Sequence, residues 1–434
     1  MTQPRPYCMG RSIAGRAATL AALLVVIGSP ATLEANDWPN FLGPDHDGVS
    51  RETGLLNDWS ETGPLRVWRR EVGAGFSSFA IVGDRLYTCG SEEKQQVLFC
   101  LDAERGEVIW KVPFEPEFTD PDTNLYGTRS TPTVDEGRVF ILGGHALLLC
   151  VDAATGKEVW RQTLNNKPHW GYSGSVLIDG PRAIVLAGGS DGSICAFDKA
   201  QGKVIWKCGD APAGYATPRA FTFNGRRYVC ALLGNCILAA EMESGREVLR
   251  IEWPSHEGVN ASTPIVHDGC LFVSTGYGYG AGLFRLSADG DRLKAEPIWK
   301  STKIRNKFQT PILHEGRLFT SDEDALKCVD FATGKRLWRQ SGIKHGGLTM
   351  ADGRLILLTE TGELKSAPPS AAEFKPSATA KLFEGSSYSV LRRKQGARCW
   401  TAPVVCNGRL YVRDHDTVEC LELRRPVGTA GTKK

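Results

Sequence analysis

The chain has 434 residues, of which 41% are hydrophobic, 23% charged and 9% aromatic, as in an ordinary folded globular protein. Its 52 basic and 49 acidic residues leave a formal charge of +3, without a long block of like charges. This balance argues against a largely disordered chain, a protein with many membrane spans, and a nucleic-acid-binding protein with a basic patch. The 48 glycines are spread along the chain, which indicates many turns.

The first segment has the three parts of a secretory signal. Residues 1–15 carry arginines and no acid, and residues 17–28 are an unbroken apolar run. Leu33-Glu34-Ala35 then supplies a cleavage site that ends in a small residue. The apolar run is shorter than the roughly 20 residues that cross a bilayer, so an uncleaved anchor is the alternative. We therefore expect a signal peptide over residues 1–35 and a periplasmic or secreted mature protein without a transmembrane segment.

A repeated sequence motif, called the repeated sentence below, recurs along the rest of the chain. Asp-x-x-Thr-Gly-Lys-x-x-Trp and close variants of it span 102–110, 152–160, 198–206 and 330–338. A degenerate copy covers 241–249, and Trp299 ends a copy with a lengthened turn. Because the units recur every 39 to 50 residues, the sequence predicts propeller blades or solenoid coils.

A second signature precedes each repeat and completes the unit. Thr-Pro or Thr-Ala-Pro begins at Thr131, Thr217, Thr263, Thr310 and Thr401, and each is followed by a glycine turn and an apolar strand. Each unit therefore reads as four short strands joined by tight turns, which is one propeller blade. Proline is tolerated at the start of the first strand because its missing N–H falls at a strand end.

The tryptophans that end the repeats are predicted to have a structural role. Asp and Thr can bond the turn backbone, glycine supplies a positive φ, and the next strand delivers an indole to the gap between blades. We therefore expect blade-docking contacts rather than catalysis from Trp68, Trp110, Trp160, Trp206, Trp299 and Trp338.

Counting units predicts an all-β, eight-bladed propeller with four-stranded antiparallel blades. Residues 347–365 supply a seventh blade and residues 401–423 an eighth that lacks its fourth strand. Pro64-Leu-Arg-Val-Trp68-Arg can supply that strand and close the ring. The domain prediction is an N-terminal extension over 36–64, the propeller over 65–423 and a flexible tail over 424–434.

Two further features qualify this plan. Residues 366–396, rich in Pro, Ala and Ser, read as a long surface excursion with Lys381-Leu-Phe as the last strand of the seventh blade. Most of the 13 cysteines fall at equivalent repeat positions, so we expect small buried strand residues rather than a disulfide framework. Cys230 and Cys236 are the exception, because they could face each other across a hairpin.

The repeat resembles the tryptophan-docking motif of the PQQ-like propeller superfamily, whose members include quinoprotein alcohol dehydrogenases and the assembly factor BamB. The resemblance covers about residues 65–423. The segment Asp37-Trp-Pro-Asn-Phe-Leu-Gly-Pro-Asp-His-Asp-Gly-Val-Ser50, together with Cys399-Trp-Thr-Ala-Pro, is more similar to exported propellers of planctomycetes, for which no activity is implied. The motif is specific for the fold and weakly specific for function.

The site of a quinoprotein enzyme is not recognisable in this sequence. The resemblance would imply an adjacent Cys-Cys pair under the cofactor, a carboxylate and amide set for Ca²⁺, and a nearby Asp base, and no two cysteines are adjacent. The oxygen-rich Asp120-Pro-Asp-Thr-Asn124 is the nearest approach to a cation loop, and it reads better as a solvated loop between blades. We assign no catalytic residue and no metal ligand, and PQQ with Ca²⁺ is implied by family resemblance alone.

The residues that precede each first strand form the candidate binding site. In a propeller these positions meet at one face of the ring, where several blades contribute to one site. Aromatic and hydrogen-bonding residues recur there, although packing between blades is the alternative for each one. The candidate set is Tyr126, Arg129, His169, Trp170, Tyr172, Tyr215, Asn260, Lys307, Gln309, His345 and Trp400.

Two classes of function stay open on this evidence. The first is an exported, non-catalytic propeller, expected as a monomer, that binds a protein, a peptide or a small polar or carbohydrate-like ligand. The second is a quinone-dependent alcohol or sugar dehydrogenase with an unusual site. The intact scaffold motifs and the missing catalytic constellation favour the first class.

Overall fold

The computed structural model describes residues 37–122, 125–323, 325–383 and 398–425. The predicted signal peptide, the end of the predicted tail and most of the second half of the 366–396 excursion lie outside the described residues. The helical elements of the described part are two short 3-10 turns, Gly189–Asp191 and His256–Gly258. No helix of that part is long and apolar enough to span a bilayer.

Within the described residues, thirty-two strands form eight four-stranded antiparallel sheets, so the predicted eight-bladed propeller is confirmed. The strands of blades one to four are β2 (Ala80–Val82), β3 (Arg85–Glu92), β4 (Gln95–Asp102), β5 (Val108–Pro116); β6 (Thr133–Asp135), β7 (Arg138–Leu142), β8 (Leu147–Asp152), β9 (Glu158–Thr163); β10 (Leu177–Asp179), β11 (Arg182–Leu186), β12 (Ile194–Asp198), β13 (Val204–Cys208); β14 (Arg219–Phe223), β15 (Arg226–Leu232), β16 (Cys236–Glu241), β17 (Glu247–Glu252). Those of blades five to eight are β18 (Ile265–His267), β19 (Cys270–Thr275), β20 (Gly280–Asp289), β21 (Arg292–Ser301); β22 (Ile312–His314), β23 (Arg317–Asp322), β24 (Ala325–Asp330), β25 (Arg336–Ser341); β26 (Gly347–Ala351), β27 (Arg354–Leu358), β28 (Glu363–Ala367), β29 (Ala378–Lys381); β30 (Val404–Cys406), β31 (Arg409–Arg413), β32 (Thr417–Glu422), completed by β1 (Arg66–Glu71).

The ring closes through β1, as the sequence predicts. This strand pairs antiparallel with β32, with Trp68 opposite Cys420 and Glu71 opposite Thr417. Beside this closure lies the buried Arg413, whose guanidinium donates to the carbonyls of Ser77 and Cys89 in blade one, both at 2.9 Å. The first and last strands are thereby joined in the sheet of the eighth blade.

The repeated sentence forms a turn that receives the tryptophan of the preceding blade. Asp152 Oδ1 accepts hydrogen bonds from the N–H and the hydroxyl of Thr155, at 2.8 and 2.6 Å. Gly156 has φ +71°, and a Cβ there would lie 2.8 Å from the Trp110 ring. Glycine is therefore required twice, for the positive φ and for the close approach of the indole.

The six repeat indoles make equivalent hydrogen bonds to the next blade. Each Nε1 donates to a backbone carbonyl there, and in five of the six that carbonyl belongs to the residue directly after the turn's acidic residue. The pairs, at 2.9 to 3.1 Å, are Trp68 with Ala103, Trp110 with Ala153, Trp160 with Lys199, Trp206 with Met242, Trp299 with Phe331, and Trp338 with Ser370.

The Thr-Pro signature joins neighbouring blades around the channel. In four places a Ser or Thr residue just before the first strand of one blade accepts a hydrogen bond through its hydroxyl oxygen. The donor is the backbone N–H of the equivalent residue in the preceding blade. These bonds, at 3.0 to 3.1 Å, run from Ser78 to Thr131, Thr131 to Ser175, Ser175 to Thr217, and Thr263 to Thr310. The hydroxyls therefore satisfy buried backbone donors that no strand pairs.

Two local expectations are wrong. Strand β16 pairs with β15 in a register that sets Cys230 opposite Ala239, so Cys230 and Cys236 do not face each other, and both are free. All twelve cysteines of the described residues are buried. The last strand of the seventh blade ends at Lys381 instead of beginning there, because Ser366 to Leu364 of β28 pair with Ala378 to Ala380.

Candidate functional site

The segment that begins at residue 37 crosses one end of the channel. At this end the first strand of each blade turns back into its second strand. Trp38 exchanges two backbone hydrogen bonds with Ile81 of blade one, both at 2.8 Å. The carbonyls of Asp45 and His46 accept from Arg219 of blade four, at 2.8 and 2.7 Å. These contacts lie eight residues apart in the chain and three blades apart in the ring, so the segment passes over the channel.

Further contacts fix the segment to blades seven and eight. Ser50 N donates to the Met350 carbonyl at 2.7 Å, and Met350 N donates to the Gly48 carbonyl at 3.0 Å. The carboxylate of Glu52 accepts the backbone N–H groups of Asn407 and Gly408 in a turn of blade eight. We call residues 37–56 the channel segment; the sequence predicted it as part of an extension without a position.

A cavity of about 560 Å³ occupies the opposite end of the channel. The loops that precede the first strands of seven blades line it, all except that of blade seven. Phe41 of the channel segment and Tyr277 of the β19–β20 turn complete it. The side chains used below are Phe76, Asp120, Asp122, Arg129, Thr131, Trp170, Ser175, Tyr215, Thr217, Lys307, Phe308, Gln309 and Trp400.

One wall of the cavity is a polar cluster from blades two and three. Arg129 Nη2 donates to Asp120 Oδ2 at 2.8 Å, and its Nη1 donates to the Trp170 carbonyl. Trp170 Nε1 in turn donates to Asp122 Oδ2 at 2.8 Å. Burial lowers the pKa of Arg129 from its usual value, and the Asp120 carboxylate opposes that effect. An arginine of this kind stays charged, and its fork is held in a fixed direction.

The facing wall is aromatic and comes from blades one, six and eight. Trp400 stacks on Phe76 with ring centroids 4.9 Å apart, and the Phe308 centroid lies 5.2 Å from that of Trp400. Gln309 Nε2 donates to the Trp400 carbonyl at 2.6 Å. This group offers broad apolar faces with a fixed position.

Lys307 brings a positive charge to this aromatic wall. Its ammonium lies 4.7 Å from the Tyr277 ring centroid and 5.7 Å from that of Phe308. Among the described residues, no carboxylate lies within ion-pair distance of it, whereas Arg129 is paired with Asp120. Lys307 is thus a cation of the cavity whose charge no described carboxylate compensates.

The structure brings six of the eleven candidate residues together at this cavity. They are Arg129, Trp170, Tyr215, Lys307, Gln309 and Trp400. His169 is exposed and lines a neighbouring cavity of about 330 Å³, which it shares with Tyr215.

The other four candidates lie between blades. Tyr172 is buried and donates to the Ala187 carbonyl at 2.6 Å, and the buried Asn260 donates to the Leu233 carbonyl at 2.6 Å. Tyr126 packs edge-on against His415. His345 Nδ1 lies 2.8 Å from Glu360, whose pKa burial would raise but which the hydrogen bonds from His345 hold at about 2.

Sequence reasoning missed several residues of the cavity. Phe76 and Phe308 each lie four residues before a first strand and carried the same positional signal as the residues chosen. Thr131, Ser175 and Thr217 line the cavity as well as joining blades. Phe41 had no local signal, because its place depends on how the channel segment crosses the ring.

A metal centre has no counterpart among the described residues. No group of three His, Cys, Asp or Glu side chains converges there in an arrangement that could hold an ion. Asp120, in the oxygen-rich loop singled out from the sequence, is occupied by Arg129. Where the structure describes this loop, Asp120 accepts a hydrogen bond from Arg129 and Asp122 accepts one from Trp170.

The architecture defines an eight-bladed, tryptophan-docked β-propeller with a cavity at one end of its channel. The sequence model of the family described as outer membrane protein assembly factor BamB matches residues 94–340. That match covers more than half of the chain, so the protein belongs to this family of PQQ-like propellers.

Individual relatives fall into two groups. The outer membrane protein assembly factor BamB of Yersinia pestis is 23% identical over 325 residues, which are 69% of this chain and 77% of that protein. A polyvinylalcohol dehydrogenase of a Sphingopyxis species is 25% identical over 218 residues, 44% of this chain and 30% of that enzyme. Among solved structures, the quinohemoprotein alcohol dehydrogenase of Comamonas testosteroni superposes with a TM-score of 0.63 at 14% identity, covering 92% of this chain and 82% of that one. This last likeness concerns the fold.

Proposed function

We propose that this protein is an exported, non-catalytic binding scaffold whose cavity takes a small polar or carbohydrate-like ligand, or the end of a peptide. The cavity carries the proposal, because seven blades present aromatic faces and directed polar groups to one space of about 560 Å³. Sites for small molecules have this size and this mixture of apolar lining with a few placed polar groups.

The chemistry of the two walls supports a ligand with a ring. Trp170, Tyr215 and Trp400 offer faces on which the C–H face of a sugar or another ring can lie. Gln309 and Asp122 are planar polar groups that can bond hydroxyls. Lys307 would compensate one negative charge on the ligand, because no described carboxylate neutralises the charge of this lysine.

The channel segment argues against a polymer that threads through the ring. Residues 37–56 bond to strands and turns of several blades around the channel, so this segment obstructs passage through the ring. A ligand that enters must also leave by that mouth, which suits a small molecule or a chain end.

Export and a protein-binding role rest on the sequence of the first 35 residues and on the family description. The first 35 residues have the composition of a signal peptide. The family is described by a name that refers to outer membrane protein assembly. Recovery of a mature protein that begins near Asn36 outside the cytoplasm would support export, and a full-length cytoplasmic product would refute it.

The binding proposal is tested by calorimetric titration with a panel of mono- and disaccharides, uronic acids and short peptides. We expect Lys307→Met and Trp170→Ala each to weaken binding of an active compound by about tenfold or more. Lys344→Met is the matched control, because it removes the same charge from the blade-seven loop, which does not line the cavity. Unchanged binding in both cavity variants, and in Arg129→Ala and His169→Ala, would refute the proposal.

The alternative is a quinone-dependent alcohol or sugar dehydrogenase, favoured by the likeness to such enzymes. Arg129 and Lys307 could pair with the acidic groups of PQQ, but no group of three His, Cys, Asp or Glu side chains among the described residues could hold the accompanying Ca²⁺. The residues therefore do not fit the complete cofactor. Titration with PQQ and Ca²⁺, followed by dye reduction with alcohols and sugars, decides between the two: stoichiometric binding with turnover would establish the enzyme and overturn the scaffold.

A further inference from the structure

A second groove, unrelated to the channel, lies along the outer side of the ring where three consecutive blades meet. It has a volume of about 890 Å³. The end of β17 in blade four and the β20–β21 hairpin of blade five form two of its sides, and the 333–336 turn of blade six forms the third. Nothing in the cavity of the channel contributes to it.

The groove is strongly basic in a protein of nearly balanced charge. Lys300, Lys303, Lys335 and Arg336 line it, against the single carboxylate of Glu252. None of these four cations forms an ion pair with a carboxylate of the described residues. Elsewhere on the same surface arginines are paired, as Arg250 is with Glu247 and Asp210. The groove thus holds a net positive charge that the fold leaves uncompensated.

Several of these positions are held by the fold. The Lys300 ammonium stands over the rings of Trp253 and Phe284, at 5.8 and 5.7 Å from their centroids. Trp253 is buried, and its Nε1 donates to Thr275 at 2.9 Å, so this cation rests on a fixed surface. A cation that is already placed loses less conformational freedom when a ligand binds.

The neighbouring cations are positioned by backbone contacts. The Lys303 carbonyl accepts a hydrogen bond from Lys327 Nζ at 2.7 Å. The Lys327 ammonium is itself buried and forms an ion pair with Asp322. Lys335 directly follows the tight repeat turn, where its carbonyl accepts the N–H of Asp330 at 2.9 Å.

We propose that this groove binds an extended acidic peptide of a partner protein. The net charge calls for an anionic ligand, and two features favour a peptide over a polyanionic sugar. Aromatic side chains line the groove beside the basic ones, among them Trp299 and Tyr279, which is 45% exposed. Strand β21 is the outer strand of its blade, so beyond Pro297 its free edge can hydrogen-bond a peptide backbone.

The test measures fluorescence anisotropy of a labelled peptide of about eight glutamates at low ionic strength. We expect saturable binding that weakens as salt is added, and an affinity loss of about tenfold or more in the double variant Lys300→Glu with Lys335→Glu. The matched control is Lys157→Glu with Lys203→Glu. These lysines are exposed and occupy the repeat position of Lys335 in other blades, so the control carries the same charge change at the same kind of turn.

Each outcome decides the proposal. Binding that the control leaves within about twofold, and that the groove variant loses, would support it. Absence of saturable binding, equal losses in both double variants, or binding of a polyuronate in place of the peptide would overturn it. Far-UV circular dichroism establishes that both variants remain folded. The cavity variant Lys307→Met should bind the peptide like the parent protein, which separates this result from the fate of the proposed function.

Discussion

Removing the indole of Trp160 should show how much one interblade contact stabilises the ring. Trp160 is 7% exposed, packs against Phe140 with centroids 6.0 Å apart, and donates to the Lys199 carbonyl at 3.0 Å. A buried tryptophan removes about 150–250 Å² from water, which at about 25 cal/mol per Å² gives an upper value of about 4–6 kcal/mol. Partial collapse of the site reduces this, so we expect Trp160→Ala to lower the free energy of unfolding by about 3–5 kcal/mol.

The measurement is urea denaturation followed by far-UV circular dichroism, because tryptophan fluorescence would itself be changed by the substitution. Trp160→Phe serves as the control, since it retains most of the apolar contact and loses the bond to Lys199. That variant should lose about 1–2 kcal/mol. A loss below about 1 kcal/mol in Trp160→Ala would refute the reasoning, because a ring that is buried between blades cannot be removed so cheaply.

Three further perturbations test other contacts of the ring. Gly202→Ala should destabilise by about 2 kcal/mol or more in the same urea assay, because φ is +71° and the new Cβ would lie 2.6 Å from the Trp160 ring; an unchanged midpoint would contradict this. Thr131→Val should cost about 1–2 kcal/mol, since it leaves the Ser78 N–H without its acceptor, and Thr222→Val, on an exposed position of β14, should be near neutral. Burial, with Arg219 nearby, lowers the pKa of His46 from 6.5 to about 4. The folded state therefore resists protonation, so stability is fully present above pH 6.5 and falls by up to about 3 kcal/mol as the pH drops to 4. His46→Gln should flatten that part of a stability profile measured from pH 4 to 7, and a profile unchanged by the substitution would exclude His46 as its source.

The repeat explains why so much of the fold could be predicted. The Asp-x-x-Thr-Gly-Lys-x-x-Trp sentence encodes a turn through contacts within five residues, as in Asp152 and Thr155. Each turn also faces the tryptophan of the preceding copy, so one local pattern specifies both the strand ends and the interblade contact. Six copies, two further units without the motif and Trp68 in the strand that closes the ring then leave one arrangement that pairs all the blades.

The candidate site was predictable in position but not in detail. Loops before first strands do meet at the mouth, and Arg129, Trp170 and Lys307 point into the cavity. Tyr172 and Asn260 occupy equivalent positions but turn between blades, because buried carbonyls accept their polar atoms. Side-chain direction in an irregular loop depends on such partners, which have no periodic signal in the sequence.

The sequence by itself determined the number of blades, the strand that closes the ring and the tryptophans that end the repeats, because each depends on contacts that recur at a fixed spacing. Only the tertiary structure decided that residues 37–56 cross the channel and that Lys300 and Lys335 share a groove. It also decided the register that separates Cys230 from Cys236. These features join positions that are distant in the chain or depend on strand register, and both are settled only when the whole ring has closed.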